Sequence, residues 1–230
     1  MLTGVQAVLF DKDGTLFDFA ASWSAWAAAL LHRLSDGDTA RAAAMAQAIR
    51  FDLAAGQFLH DSPVIAGTMD EPVRLLAPFL PDWTADALKT YLFRSAALAE
   101  MVPPVPLAPL MQGLRARKLV LGVATNDAES IARDHLTRAG ILDQFAHVLG
   151  YDSGFTPKPA PDMLLGFANF TGLEAGRVVM VGDSTHDLVA GRAAGMQTVA
   201  VLTGMATQAD LAPYADLVLP DIGHLPQALA

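Results

Sequence analysis

Val5-Gln6-Ala7-Val8-Leu9-Phe10-Asp11-Lys12-Asp13-Gly14-Thr15-Leu16-Phe17-Asp18 is the stretch on which the reading of this chain turns. An apolar, β-rich run that stops at two aspartates and a glycine reads as a buried strand delivering two carboxylates to a turn at its C-terminal end. Open α/β sheets keep their chemistry at that end of their strands. A carboxylate at Asp11 can act as nucleophile or metal ligand, and Asp13, two residues on, as acid and base toward the same substrate. Asp and Gly are also ordinary turn residues, so a plain strand-to-turn junction explains the stretch as well, and the rest of the chain has to decide.

Downstream, from about Phe19 to Met101, apolar residues recur at helical spacings and no clear strand stands out. Ala20 to Leu34 places Trp23, Trp26, Ala27, Leu30, Leu31 and Leu34 on one helix, punctuated by Asp36-Gly37-Asp38. Thr39 to Phe51, Pro72 to Leu80 and Ala85 to Leu98 read as further helices, with Thr84 as an N-cap. This block is expected to be an all-helical insert. The stiff run Val102-Pro103-Pro104-Val105-Pro106 follows it as a linker.

Beyond the linker, strand and helix patterns alternate. Strands are expected at Leu119 to Ala124, Ala146 to Leu149, Arg177 to Val181, Thr198 to Leu202 and Leu217 to Leu219; helices are expected at Leu110 to Arg117, Ala128 to Arg138, Asp162 to Phe170 and Asp187 to Ala194. Such alternation implies an α/β fold with a Rossmann-like, mainly parallel sheet carrying helices on both faces. The expected division is a catalytic core of residues 1–18 and 102–230, with residues 19–101 as the inserted helical domain.

Three apolar strands end in polar groups: one at Asp11, one at Thr125-Asn126-Asp127, and one at Gly182-Asp183. In a parallel sheet these ends share an edge and can converge in one crevice. Lys158, in the proline-stiffened Thr156-Pro157-Lys158-Pro159-Ala160-Pro161-Asp162, adds a cation. If Asp11, Asp183 and Asp187 meet, unit charges ~6 Å apart at an effective dielectric of ~20 repel by roughly 3 kcal/mol per pair. The cluster then needs Lys158 and a hard divalent ion such as Mg²⁺, whose preferred ligands are oxygens and which readily takes phosphate oxygens.

These motifs, Asp11-Lys12-Asp13-Gly14-Thr15, Thr125-Asn126, Lys158-Pro159-Ala160-Pro161-Asp162 and Gly182-Asp183-Ser184-Thr185-His186-Asp187, resemble the four ordered motifs of the haloacid dehalogenase superfamily. The chain is similar in particular to its phosphatases of the phosphoglycolate phosphatase type, whose helical cap is inserted after the first strand. The resemblance implies that Asp11 attacks phosphorus and Asp13 is the acid and base, with Thr125, the Asn126 amide and Lys158 binding phosphoryl oxygens. It implies Mg²⁺ on Asp11, Asp13 (main-chain carbonyl) and Asp183, supported by Asp187. Dehalogenase members lack the second aspartate, so Asp13 points to phosphoryl chemistry. A phosphomutase and a non-catalytic phosphate-binding regulatory module are the alternatives on the same motifs.

Bland readings stand beside these. Lys158 can be a solvated loop lysine, Asp187 a helix N-terminal residue complementing the dipole, His186 an exposed loop histidine, and Trp23 and Trp26 packing residues. Within the insert, Gln57, His60, Asp61, Ser62, Arg50 and Arg74 are candidates to meet the leaving group, an arginine being suited to a second anion on the substrate.

Composition narrows the partners. With 53% hydrophobic and 17% charged residues among 230, the chain is not an extended disordered one. It has no cysteine, hence neither disulfide nor thiolate metal site. A net charge of −9 without clustered Lys or Arg argues against nucleic acid. No apolar run reaches a membrane-spanning length, and Met1-Leu2-Thr3-Gly4 leads into the first strand without a basic n-region. The expected partner is a small phosphate ester, the expected location cytoplasmic, and the expected state a monomer or homodimer.

Overall fold

In the computed structural model, which describes residues 2–229, the opening apolar run forms strand β1 (Ala7–Phe10). Its four side chains are all buried, and they alternate between two clusters: Val8 and Phe10 enter one, Ala7 and Leu9 the other. A strand covered on both faces has no polar positions to alternate with, which is why the run is apolar throughout.

The chain continues through helices α1 (Phe19–Ser35) and α2 (Thr39–Ala48), a hairpin of β2 (Phe51–Asp52) and β3 (Gln57–Phe58), and helices α3 (Asp70–Leu76) and α4 (Ala85–Ala97). Alternation then sets in with α5 (Leu107–Ala116), β4 (Val120–Ala124), α6 (Glu129–Arg138), β5 (His147–Leu149) and α7 (Asp162–Thr171). It ends with β6 (Val178–Gly182), α8 (Thr185–Ala193), β7 (Gln197–Val201), α9 (Gln208–Leu211), β8 (Leu217–Leu219) and α10 (Leu225–Ala228). No helix among the described residues is long and apolar enough to cross a membrane.

The six-stranded sheet has the order β5-β4-β1-β6-β7-β8, and every adjacent pair is parallel. Helices α5, α6 and α10 cover one face through Leu107, Met111, Leu114, Leu136 and Leu225. Helices α7 and α8 cover the other through Met163, Leu164, Phe167 and Ala190. This is the α/β architecture expected from the alternation. Gly122 in β4 permits the close approach of α7, because a Cβ there would run into the Phe167 ring.

The strand order decides where the chemistry can be. From β1 the sheet grows outward on one side through β4 and β5, and then on the other side through β6, β7 and β8. The two directions part at β1, leaving a crevice beyond its C-terminal end. Register places Phe10 opposite Val123 of β4 and Val181 of β6, so all three strands deliver their next residues to that crevice.

The insertion after β1 is helical, as expected, and packs around its own cluster, which includes Phe19, Leu30, Leu31, Met45, Phe58, Leu76, Leu88 and Leu92. It also contains the small β2–β3 hairpin, where the sequence shows no clear strand. The second helix, expected to run to Phe51, stops at Ala48. Arg50 adopts φ +58, and the Asp52 carboxylate accepts from the Ala54 and Ala55 amides at 2.9 and 3.0 Å. That side-chain turn competes with the helix and reverses the chain. The entering and leaving segments lie side by side, the Asp18 amide donating to Val102 O at 2.8 Å and the Val102 amide to Ser22 Oγ at 3.0 Å.

Candidate active site

β1 carries Asp11 one residue past its last ladder pair, with the Asp11 amide still bonded to Val181 O at 2.8 Å. The chain then folds back as the Leu16 and Phe17 amides donate to Lys12 O at 2.9 and 3.1 Å. Gly14 sits in this turn with φ +81, and a Cβ there would run into the Asp183 carboxylate. Backbone and space therefore both demand glycine. Thr15 Oγ1 donates to Asp183 Oδ1 at 3.3 Å, tying the end of β6 to the same turn.

Asp11, Asp183 and Asp187 are buried together, with one oxygen from each within 4.8 Å of the others. Lys158 reaches them from the loop after β5. Its Nζ donates to Asp11 Oδ1 at 2.7 Å, to Asp187 Oδ1 at 2.6 Å and to the Ala124 carbonyl at 2.7 Å. The solvated-lysine reading is thereby excluded, since the side chain is 3% exposed. Burial raises the Asp11 carboxyl to about 7, with repulsion from Asp187 and Asp13 adding to it and Lys158 opposing. Burial, then Asp187 and Asp11, also hold Asp183 well above the usual carboxylate range. Lys158 keeps its proton: burial works against the charge, and the two aspartates outweigh it.

Asp187 does two jobs. Its Oδ2 accepts from the Ser184 amide at 3.0 Å and from Ser184 Oγ at 2.7 Å, closing a capping box at the start of α8. Its Oδ1 holds Lys158. The helix-terminus reading and the functional reading of this residue are thus both accommodated by its two oxygens. α8 starts at Thr185, before the expected Asp187, because Ser184 caps it.

A second cluster surrounds Lys12, which the sequence reading left without a role. Lys12 is fully buried, and its Nζ lies 2.8 Å from Asp13 Oδ2, 3.0 Å from Asp127 Oδ2 and 3.0 Å from His135 Nδ1. The Asp127 contact pairs charges without being aligned as a hydrogen bond. Trp23, from the insert, donates Nε1–H to Asp13 Oδ1 at 2.9 Å and lays its ring 5.5 Å from the ammonium. Burial works to raise Asp13, and the Lys12 charge and hydrogen bond outweigh it, leaving Asp13 below its ordinary value. Burial and the same charge push His135 down to about 4. The neutral ring accepts at Nδ1 and donates Nε2–H to Ala96 O at 3.1 Å.

Thr125 is buried at the end of β4 and lines the cavity that Asp11, Lys158 and Asp183 also face. The Asn126 side chain is a clip: Oδ1 accepts from the Lys158 amide at 2.9 Å, while Nδ2 donates to Lys158 O at 2.8 Å and to Ala66 O, in the insert, at 2.9 Å. His186 is half-buried and lines the cavity, rather than lying on an exposed loop. The six insert residues considered as leaving-group contacts are not on its wall. Arg50 pairs with Asp61 at 2.7 Å in solvent, Ser62 Oγ is bonded to Ile49 O at 2.6 Å, and Gln57, His60 and Arg74 are exposed.

The site fits a hard cation. Asp11, Asp183 and Asp187 present carboxylate oxygens to one small buried volume, and Lys158 is the single ammonium among them. Two of the three carboxyls are raised by burial and mutual repulsion, the signature of a donor set short of positive charge. Oxygen donors alone favour a divalent ion of the Mg²⁺ or Ca²⁺ kind over softer metals.

A family model for haloacid dehalogenase-like hydrolases matches residues 5–195. A phosphoglycolate phosphatase of Neisseria meningitidis is 31% identical over 226 residues, covering 97% of this chain and 92% of that protein. An N-acetylmuramic acid 6-phosphate phosphatase of Pseudomonas aeruginosa is 29% identical over 204 residues, covering 87% and 83%. The crystal structure described as a predicted phosphoglycolate phosphatase from Haemophilus somnus superposes with a TM-score of 0.72 at 18% identity, covering 99% of both chains. At that identity the superposition speaks for the fold alone.

Proposed function

The chain belongs to the haloacid dehalogenase-like hydrolases, and from that premise we propose that it is a Mg²⁺-dependent phosphatase of small phosphate monoesters, working through an aspartyl-phosphate on Asp11. The observation that carries this reading is the buried Asp11 carboxylate, held at 2.7 Å by Lys158 at the sheet's switch point with Asp13 two residues on. Phosphatases among the relatives support it.

In this reading Lys158 orients Asp11 so that its free oxygen faces phosphorus. The Asp11–phosphorus bond forms as the ester P–O bond breaks, and Asp13, ionised beside Lys12 in the free site, takes up a proton from solvent with the substrate bound and gives it to the departing alkoxide. Water then attacks phosphorus and returns a proton to Asp13, releasing inorganic phosphate and restoring Asp11. Thr125 and the Asn126 amide bind the phosphoryl oxygens, and Lys158 joins them by exchanging one of its three present bonds for a phosphoryl oxygen. Mg²⁺ would be held by Asp11, the Asp13 carbonyl and Asp183, with Asp187 in support, and would supply charge neutralisation for the carboxylates and the phosphoryl oxygens. Residues 19–101 act as a cap that excludes water during the first transfer, over a core of residues 1–18 and 102–230.

Phosphate release from an ester panel with Mg²⁺, and its loss on chelation, tests the reading directly; full activity after chelation and buffer exchange contradicts it. A stability measurement adds a sign. An ordinary aspartate titrates near 3.8 and Asp11 near 7, so the metal-free fold holds that proton to higher pH than the unfolded chain. The share of stability due to Asp11 is present below the lower value and lost as pH rises through the upper one. Mg²⁺ competes with this proton, so its stabilising effect grows with pH. At about a hundred times its Kd the ion adds about 2.7 kcal/mol, or roughly 5–10 °C in Tm, near pH 8 and less near pH 5. An increment independent of pH contradicts metal binding at Asp11.

Asp13→Asn removes a group that must both give and take a proton, and is expected to lower turnover about 10²–10⁴-fold. Rapid quenching and mass spectrometry should find phosphate persisting on the protein. Steady-state phosphate release at the unmodified rate contradicts the acid/base role.

A further inference from the structure

The half of the cavity facing away from the aspartates is built by the insert, and its wall is apolar: Phe19, Trp26, Leu30, Phe58, Ile65 and Met69 line it. Its side-chain hydrogen-bonding groups are committed within the protein. Trp26 Nε1 donates to Ser95 Oγ at 3.0 Å, Trp23 Nε1 to Asp13, and Thr68 Oγ1 to Glu71 Oε2 at 2.9 Å. The Ala66 carbonyl accepts from Asn126.

Charge is arranged equally one-sidedly. Among the described residues Lys158 is the single lysine or arginine lining the cavity, and its Nζ already donates to Asp11, Asp187 and Ala124 O. Asp11, Asp13, Asp127, Asp183 and Asp187 line the same cavity. A second anionic group on a substrate would find no uncommitted lysine or arginine on the cavity wall. A polyol would exchange hydration of its hydroxyls for aromatic and aliphatic carbon. The cavity measures about 130 Å³. The phosphoryl group shares that space.

We propose that the alcohol released from this enzyme's substrate is compact, apolar and uncharged. The inference rests on the phosphatase reading and narrows it, setting the chain apart from the phosphoglycolate phosphatases it resembles, whose named substrate carries a carboxylate. His186 lines the cavity as well.

The test is a comparison of kcat/KM, with Mg²⁺ present, for benzyl phosphate and isobutyl phosphate against 2-phosphoglycolate and glycerol 3-phosphate. All four are esters of aliphatic alcohols, so differences in leaving-group ability are small. An advantage of at least about tenfold for the better apolar ester over both polar ones is expected; a smaller one overturns the inference and leaves the phosphatase reading standing. Release from none of the four, nor from p-nitrophenyl phosphate, overturns both. Ile65→Arg, at a half-buried loop position, puts a cation into the apolar wall and should shrink the benzyl phosphate to 2-phosphoglycolate ratio at least about tenfold. An unchanged ratio in the folded variant counts against the proposal, and the panel on the unmodified protein decides alone should the variant fail to fold.

Discussion

Asp11→Asn is expected to lower kcat at least about 10⁴-fold, the scale seen when a covalent nucleophile is removed. That corresponds to about 5 kcal/mol of lost transition-state stabilisation. Folding should survive. An asparagine oxygen can still accept from Lys158 Nζ, which now sits 2.7 Å from Asp11 Oδ1. One charge leaves a cluster in which burial and repulsion hold Asp11 and Asp183 above their ordinary values. The thermal midpoint of the metal-free variant should therefore be unchanged or higher. Steady-state kinetics and a melting curve on the same preparation separate the two effects. Near-native turnover in the variant contradicts Asp11 as nucleophile, whatever its stability.

Lys158→Met is expected to damage both activity and stability. The substitution keeps the length of the side chain and removes the buried charge that Asp11 and Asp187 share. Removing one partner of a buried pair costs about 3–5 kcal/mol, because the other is left uncompensated. For a chain of this size that lowers Tm by roughly 6–20 °C. Turnover should fall at least about 10²–10³-fold, since a positioned donor facing developing charge is lost together with the orientation of Asp11. A second substitution distinguishes the causes. Asp187→Asn in the Lys158→Met background removes one of the stranded charges and can keep the Ser184 cap, so part of the lost stability should return while activity does not. Full stability in Lys158→Met alone contradicts the pairing.

Much of this site can be read without coordinates, and particular residues show why. Asp11, Thr125 and Asp183 each follow an apolar run, and the end of a buried strand is a local property of side-chain pattern and turn chemistry. A parallel sheet then brings strand ends to one edge whatever the strand order. Lys12 shows the opposite case. Between two aspartates it looks like a spacer, and its partners Asp127 and His135 lie more than a hundred residues away in sequence. Arg50 is similar: suited to a substrate anion by chemistry, it is paired with Asp61 in solvent, because the chain reverses at the short hairpin instead of continuing as helix. Helical periodicity in the insert marks apolar residues without telling those that face its own core, such as Leu31 and Leu88, from those that also line the cavity, such as Trp26 and Leu30.

By itself, then, the sequence determined the α/β alternation, the helical insertion after β1, and the strand-end carboxylates together with the lysine that would serve them, because each depends on periodicity, turn chemistry and topology rules that act over a few residues or one supersecondary unit. Only the tertiary structure decided that Lys12 is buried against Asp13, Asp127 and His135, that Asn126 clips the Lys158 loop to the insert, and that the insert lines the cavity with carbon and no arginine. Those contacts join segments far apart in the sequence, and which side chain points inward there is set by the packing of helices and loops against one another, which the local pattern leaves open.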